Sequence, residues 1–89
     1  MQTNWTDNEI KRCILREGLF VRRGMSDEAA ETLAERCMFR DRDFDDRRAC
    51  IECKHMQESG FCKATKQWAQ QKDMFHRCHR FEWQVPRTN

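Results

Sequence analysis

The stretch CIECKHMQESGFC, residues 50–62, carries three of the six cysteines of this 89-residue chain. Cys50 and Cys53 have the C-x₂-C spacing in which two thiolates can occupy adjacent corners of a tetrahedron. Cys62 follows after eight residues and Cys78 after fifteen more. Four soft ligands at such spacings suit Zn²⁺, and less readily an iron–sulfur cluster. We therefore predict one zinc ion bound by Cys50, Cys53, Cys62 and Cys78.

Other chemistries remain open for these cysteines. His55, His76 or His79 could replace one cysteine as a ligand, because imidazole also binds zinc. A thioredoxin-type redox pair usually opens a helix after a buried strand, whereas the C-x₂-C pair here follows DDRRA and precedes turn-forming residues. Disulfides are the third alternative and require an oxidising compartment. A closed four-sulfur site leaves no position for water, so its expected role is structural.

The composition favours a small domain that needs a metal ion or another cross-link in addition to its hydrophobic core. A chain of this length buries only a small core, and 36% of its residues are charged. No apolar run has the ~20 residues of a membrane span, and the first residues lack the apolar segment of a signal peptide. We therefore expect a cytoplasmic protein without membrane partners. A reducing cytoplasm favours metal binding or free thiols over disulfides.

Two helices are predicted before the cysteines. Thr6 and Glu9 have capping-box spacing and predict a helix over residues 7–23. Ser26 caps a second predicted helix over residues 27–40. The two should pair as a hairpin. The apolar positions expected to pack are Ile10, Cys13, Ile14 and Val21 in the first helix, and Ala30, Leu33, Ala34, Cys37 and Met38 in the second.

The remainder of the chain predicts a zinc-binding module. Residues 40–48, RDRDFDDRR, form a charged connector. The segments 48–56 and 58–64 are compatible with a β-hairpin at the metal knuckle, 63–73 is typical of a short helix, and 80–86 alternates like a final strand. The predicted fold is a single small α+β zinc-stabilised domain over 1–89, with a helical hairpin and connector at 1–44 and the zinc module at 45–89.

The cysteine pattern also resembles a known group of sequences. DDRRACIEC, followed by FC and RCHRF, resembles short, mostly uncharacterised four-cysteine proteins of bacterial plasmids, integrating elements and prophages. The resemblance covers about residues 18–81. It implies a mobile-element setting and the same four cysteine ligands, and it brings no established activity. The matching positions are Asp45, Asp46, Arg47, Arg48, Cys50, Cys53, Cys62, Arg77, Cys78 and Phe81.

Basic residues around the cysteines suggest a nucleic-acid-binding or regulatory module. Cations bind phosphate, and exposed aromatic rings can stack on bases. The net charge of +2 argues only weakly for this function, because four thiolates with one Zn²⁺ would bring the chain close to neutral. The candidate nucleic-acid or partner contacts are Arg47, Arg48, Lys54, Lys63, Lys66, Arg77 and Arg80.

A protein-interaction module is the alternative. Such an adaptor or inhibitor would dock on a replication, transcription or defence protein of the host or of the element, with the connector supplying complementary charge. An enzyme is not expected, since the chain has no Gly-rich phosphate loop, G-x-S-x-G or H-E-x-x-H motif. No small-molecule substrate is expected either. The partner's identity and the oligomeric state are not encoded in any motif.

Overall fold

The structure, a computed structural model, describes residues 5–69 and 71–86. Two helices lead into a 3-10 turn and a two-stranded antiparallel sheet: α1 Asp7–Arg22, α2 Asp27–Arg42, the 3-10 turn Cys50–Glu52, β1 Phe61–Cys62 and β2 Gln67–Trp68. The prediction of a small α+β domain that opens with two helices is confirmed. Neither helix is long and apolar enough to cross a membrane.

Helix α1 begins and ends at local signals in the sequence. The Thr6 hydroxyl accepts from the Glu9 amide at 3.1 Å, and the Glu9 carboxylate accepts from the Thr6 amide at 2.9 Å. This reciprocal capping box satisfies two amides that the helix leaves unpaired. The helix stops before Gly24, whose φ of 100° is accessible mainly to glycine. The chain then turns directly into α2.

Helix α2 extends two residues beyond its predicted end. The Ser26 hydroxyl caps its start, and its last residue, Arg42, reaches the beginning of α1. Two guanidinium nitrogens of Arg42 lie 2.7 and 2.8 Å from the carboxylate oxygens of Glu9. These bonds from Arg42 lower the pKa of Glu9 to about 2. The start of α1 and the end of α2 are therefore joined by a bidentate ion pair.

The hydrophobic core contains side chains from both halves of the chain. Phe20 of α1 and Leu33 of α2 are buried together with Ile51 of the cysteine half. Phe75 and Val85 pack against them from the C-terminal segments. The helical hairpin and the cysteine half thus share one core. Its buried members are Leu19, Phe20, Ala30, Leu33, Ala34, Cys37, Ala49 and Ile51.

The inward face of α1 differs from the predicted one. Ile10, Ile14 and Val21 are exposed, whereas Arg12 and Arg16 are buried. The η2 nitrogen of Arg16 lies 2.7 Å from the Asp41 carboxylate of α2. An arginine can be buried when a carboxylate compensates its charge. A prediction based on hydrophobic spacing places every arginine on the exposed face, so it cannot identify such a residue. In α2 the predicted face is correct, and Cys37 is fully buried.

A buried ion pair joins α2 to the cysteine half. The Arg40 guanidinium donates to the Glu52 carboxylate at 2.6 Å, and both side chains are almost fully buried. Glu52 also accepts from the Ala49 amide at 2.8 Å and from the Cys37 thiol at 3.3 Å. Burial lowers the pKa of Arg40, but its hydrogen bond to the Glu52 carboxylate and the negative charge of that carboxylate outweigh this effect and raise the pKa. The carboxylate therefore ties α2 to the cysteine half.

The predicted hairpin between segments 48–56 and 58–64 is reduced to one antiparallel bridge, which pairs Met56 with Cys62. Residues Cys50–Glu52 form a 3-10 turn. The sheet instead pairs Phe61 with Trp68 and Cys62 with Gln67. The C-x₂-C turn is too tightly curved to continue as a strand.

The predicted short helix over 63–73 is also wrong where the chain is described. Residues 63–66 form the turn between β1 and β2, and the Lys66 amide donates to the Cys62 carbonyl at 2.8 Å. Lys66 has a φ of 58°, which ends any right-handed helix at that position. Residue 70 lies outside the described residues.

The predicted final strand over 80–86 is reduced to one bridge, between Trp83 and Cys53. The alternation that suggested a strand is nevertheless present: Phe81, Trp83 and Val85 are half-buried, and the residues between them are exposed. Arg48 and Arg40 lie over the Trp83 ring at 5.6 and 5.1 Å. This segment packs through its aromatic rings and through two backbone bonds, in which the Lys54 amide donates to the Glu82 carbonyl at 2.8 Å and the Gln84 amide to the Glu52 carbonyl at 3.1 Å.

Replacing Glu52 by alanine should lower the free energy of unfolding by about 3–5 kcal/mol, because Arg40 would stay buried without its carboxylate. Urea denaturation of the zinc-loaded protein, followed by circular dichroism, measures this change. Glu31→Ala, on the exposed face of α2, is the control and should change it by less than about 0.5 kcal/mol. The double variant Arg40→Met/Glu52→Leu should recover part of the loss. A change below about 1 kcal/mol for Glu52→Ala would show that the pair does not join the two halves.

Candidate metal centre

The C-x₂-C turn is held in place by two charged side chains, Glu52 within the turn and Arg23 from the helical half. Glu52 caps its start at Ala49, and the Cys53 amide closes it by donating to the Cys50 carbonyl at 3.0 Å. Arg23, at the end of α1, donates to the carbonyl oxygens of Ile51 at 2.9 Å and Cys53 at 2.5 Å. Sequence reasoning missed Arg23 because it lies 28 residues before the turn residue it contacts. Contacts with α1 and with the carboxylate of Glu52 therefore hold the turn in place.

Hydrogen bonds to sulfur are present at two of the predicted ligands. The His55 amide donates to the Cys53 sulfur at 3.4 Å. The Thr65 hydroxyl, the Thr65 amide and the Ala64 amide donate to the Cys62 sulfur. Burial raises the pKa of Cys62, but these donors outweigh that effect and lower it. Amides that point at a sulfur two or three residues earlier stabilise its thiolate form.

Cys50 is influenced electrostatically by the other three predicted ligands. Burial raises the pKa of Cys50, and negative charge on Cys62, Cys78 and Cys53 raises it further. Cys50, Cys62 and Cys78 are half-buried, and Cys53 is buried.

His76 is the histidine that the structure places against a predicted cysteine ligand. Its Nε2 atom lies 3.0 Å from the Cys50 sulfur. The backbone groups of His76 and Arg48 bond to each other at 2.7 and 2.8 Å, which fixes this position. His55 instead pairs with the Glu82 carboxylate at 2.9 Å, and His79 is exposed. His76 is therefore the best-placed substitute for a cysteine.

A zinc ion requires four donor atoms at the corners of a tetrahedron. Within residues 5–69 and 71–86, no three His, Cys, Asp or Glu side chains converge tightly enough to form a finished metal site. A sulfur and an imidazole nitrogen that share a tetrahedral zinc ion lie about 3.5 Å apart, so Cys50 and His76 would need to separate only slightly. The four cysteines supply the thiolate donors that zinc prefers, and the zinc site stays a prediction.

Two predicted contact residues form ion pairs within the connector region. Arg47 lies 2.8 Å from the Asp45 carboxylate, and Arg77 lies 2.8 Å from that of Asp46. Arg77 thus links the loop that carries Cys78 to the connector. Both pairs are largely exposed, so solvent screens their charges and they contribute little to stability.

Three further predicted contacts have different surroundings. Arg48 is half-buried, and its guanidinium lies 5.1 Å from the centre of the Phe81 ring. Arg80 donates to the Ala64 carbonyl at 2.7 Å, beside the Cys62 turn. Lys66 is exposed in the turn between β1 and β2. These arginines therefore support the cysteine loops.

The two remaining predicted contacts, Lys54 and Lys63, lie in one cleft of about 430 Å³. Arg22 and Arg23 of α1 line the same cleft, and Glu58 is its one carboxylate among the described residues. We call this feature the basic cleft: Arg22, Arg23, Lys54 and Lys63. Sequence reasoning missed the two arginines, because they belong to the helical half and follow no spacing rule relative to the lysines.

Neither a protein-family model, nor a curated protein, nor a solved structure matches this chain. The resemblance to four-cysteine proteins of mobile elements therefore stays a prediction.

Changing Cys50 or Cys53 to serine should abolish zinc binding and unfold at least residues 49–85, because the energy of a structural zinc site is folding energy. The matched control Cys13→Ala should retain one zinc ion per chain. Elemental analysis of the purified variants, with circular dichroism, measures both effects. Loss of zinc in Cys13→Ala would overturn the ligand assignment. Loss of zinc in His76→Ala but not in Cys78→Ser would show that His76, and not Cys78, is the fourth ligand.

Proposed function

We propose that this chain is a zinc-stabilised, non-enzymatic nucleic-acid-binding module in which Cys50, Cys53, Cys62 and Cys78 hold one structural Zn²⁺. The zinc ion would cross-link three segments that share little regular secondary structure. A reducing cytoplasm, which the sequence leads us to expect, keeps these thiols available. The resemblance to proteins of plasmids and prophages supports a regulatory role in a bacterial mobile element.

The basic cleft is the observation that carries this proposal. Each of its lysines directly follows a predicted zinc ligand, because Lys54 follows Cys53 and Lys63 follows Cys62. Zinc binding would therefore fix the two ammonium groups relative to each other. The cleft concentrates positive charge locally, although the whole chain is close to neutral with zinc bound.

The two arginines of the basic cleft have different roles. Arg23 is buried, and its guanidinium is engaged with the carbonyl oxygens of the cysteine turn. Arg23 therefore adds positive charge to the cleft, but most of its N–H groups are not available to donate to a ligand. Arg22 is exposed at the end of α1. Arg22, Lys54 and Lys63 are therefore the side chains that can reach a phosphate.

Lys54→Ala/Lys63→Ala should weaken binding to a short fluorescent oligonucleotide and reduce the slope of log affinity against log salt by about 1.4 for single-stranded DNA. Fluorescence anisotropy across a salt series measures both quantities. The control Arg47→Ala/Arg77→Ala removes the same charge from side chains paired with Asp45 and Asp46, and should change the slope much less. No binding by the wild type, or binding without salt dependence, would contradict the proposal.

One observation favours a protein-interaction module as the second candidate. Ile14, Leu15 and Val21 are exposed on α1. Two of these side chains line a groove of about 370 Å³ between α1 and α2, whose rim includes Glu17 and Glu31. An exposed apolar helix face of this kind is typical of a docking surface. It lies on the helical half, and none of the four predicted zinc ligands lines it.

The variant Ile14→Glu/Val21→Glu separates the two candidates. For an interaction module, a stoichiometric protein should co-purify with the wild type from a bacterial lysate and should be lost from this variant. Nucleic-acid affinity should be unchanged by the substitution. Absence of any stoichiometric partner, together with clear nucleic-acid binding, would remove the second candidate.

A further inference from the structure

Trp68 is the most exposed of the three tryptophans. Its side chain is 66% exposed, whereas Trp83 is half-buried beneath the Arg40 guanidinium, and Trp5 is half-buried against Phe39. A tryptophan is among the largest sources of hydrophobic stabilisation when it is buried. Leaving one in water forgoes that gain, and the ring is accessible to a ligand.

The Trp68 ring has a defined orientation despite its exposure. Trp68 pairs with Phe61 across the two-stranded sheet, and the two rings lie edge to face at 5.2 Å and 64°. The Ala69 amide donates to the Gly60 carbonyl at 2.9 Å and continues the pairing. The ring is therefore held on a rigid hairpin, with one surface supported by Phe61.

Positive charge lies next to this ring. The turn that joins β1 to β2 contains Lys63 and Lys66, both exposed. Lys63 also lines the basic cleft. The hairpin thus presents an aromatic ring and two ammonium groups within eight residues, and one of those groups leads into the cleft. Stacking rings beside cations are the recurring elements of surfaces that bind single-stranded nucleic acids.

We propose that Trp68 is a stacking platform for an unpaired base, with Lys63 and Lys66 binding the adjoining phosphates. The module therefore prefers single-stranded nucleic acid, because the bases of a duplex are already stacked on each other and cannot lie on a protruding ring. This inference rests on the nucleic-acid function proposed above. The inference extends that function by naming single-stranded nucleic acid as the bound form and Trp68 as the residue that recognises it.

The test compares a base-containing single strand with an abasic strand of the same length and charge, by fluorescence anisotropy. The wild type should bind the base-containing strand about 5- to 150-fold more tightly, which corresponds to about 1–3 kcal/mol per stacked base. Trp68→Ala should remove this preference and leave abasic affinity unchanged. Lys54→Ala/Lys63→Ala should weaken binding to both strands.

Phe44→Ala is the matched control, because Phe44 is 89% exposed but lies on the connector. It should leave both affinities unchanged. Trp68→Phe retains an aromatic partner for Phe61 and serves if the alanine variant loses its fold, as judged by zinc content and circular dichroism. Base-containing strands should quench the fluorescence of the wild type, and this quenching should be lost in Trp68→Phe.

The outcomes distinguish this inference from the proposed function. Equal wild-type affinity for the two strands, or Trp68→Ala affinities that match the wild type, would overturn the stacking platform and leave the nucleic-acid function in place. Failure of the wild type to bind either strand or a duplex would overturn both. Tighter binding to the duplex than to the single strand would overturn the platform alone.

Discussion

The buried pair of Arg40 and Glu52 is the interaction on which the rest of the structure depends. Two opposite charges are removed from water at the junction of α2 and the cysteine half, which is favourable only when their remaining hydrogen-bonding groups are satisfied. Glu52 meets this condition by accepting from Arg40, the Ala49 amide and the Cys37 thiol. One carboxylate therefore orients the C-x₂-C turn relative to the helical hairpin. Arg23 fixes the same turn from α1.

This arrangement connects the proposed metal centre to the proposed binding surface. Lys54 and Lys63 each follow a predicted ligand, and they share a cleft with Arg22 and Arg23. The geometry of the cleft thus depends both on the metal and on the contacts that hold the turn against the helices. A chain with a near-neutral total charge can still bind an anion when its cations are collected at one place.

The helices could be predicted because their capping residues are close in sequence. The conformation of the cysteine half depends on contacts between residues far apart in sequence, and it could not be predicted in the same way. The caps at Thr6 and Ser26 identified both helix starts, and the end of α2 was missed by two residues because the distant Glu9 binds Arg42. The inward face of α1 was missed because Arg16 is buried against Asp41. The four predicted zinc ligands were chosen by spacing and stay a prediction. The hairpin, the left-handed turn and the arginines of the cleft carry no such spacing signal.

Amide hydrogen exchange, followed residue by residue with zinc bound and after chelation, tests the central claim that metal and helices form one cooperative unit. The shared core predicts that chelation will lower protection in the cysteine half and also at Phe20 and Leu33, in the interior of the two helices. Unchanged protection at those helical amides after zinc removal would contradict the account. So would a protein whose exchange pattern does not respond to chelation anywhere in the chain.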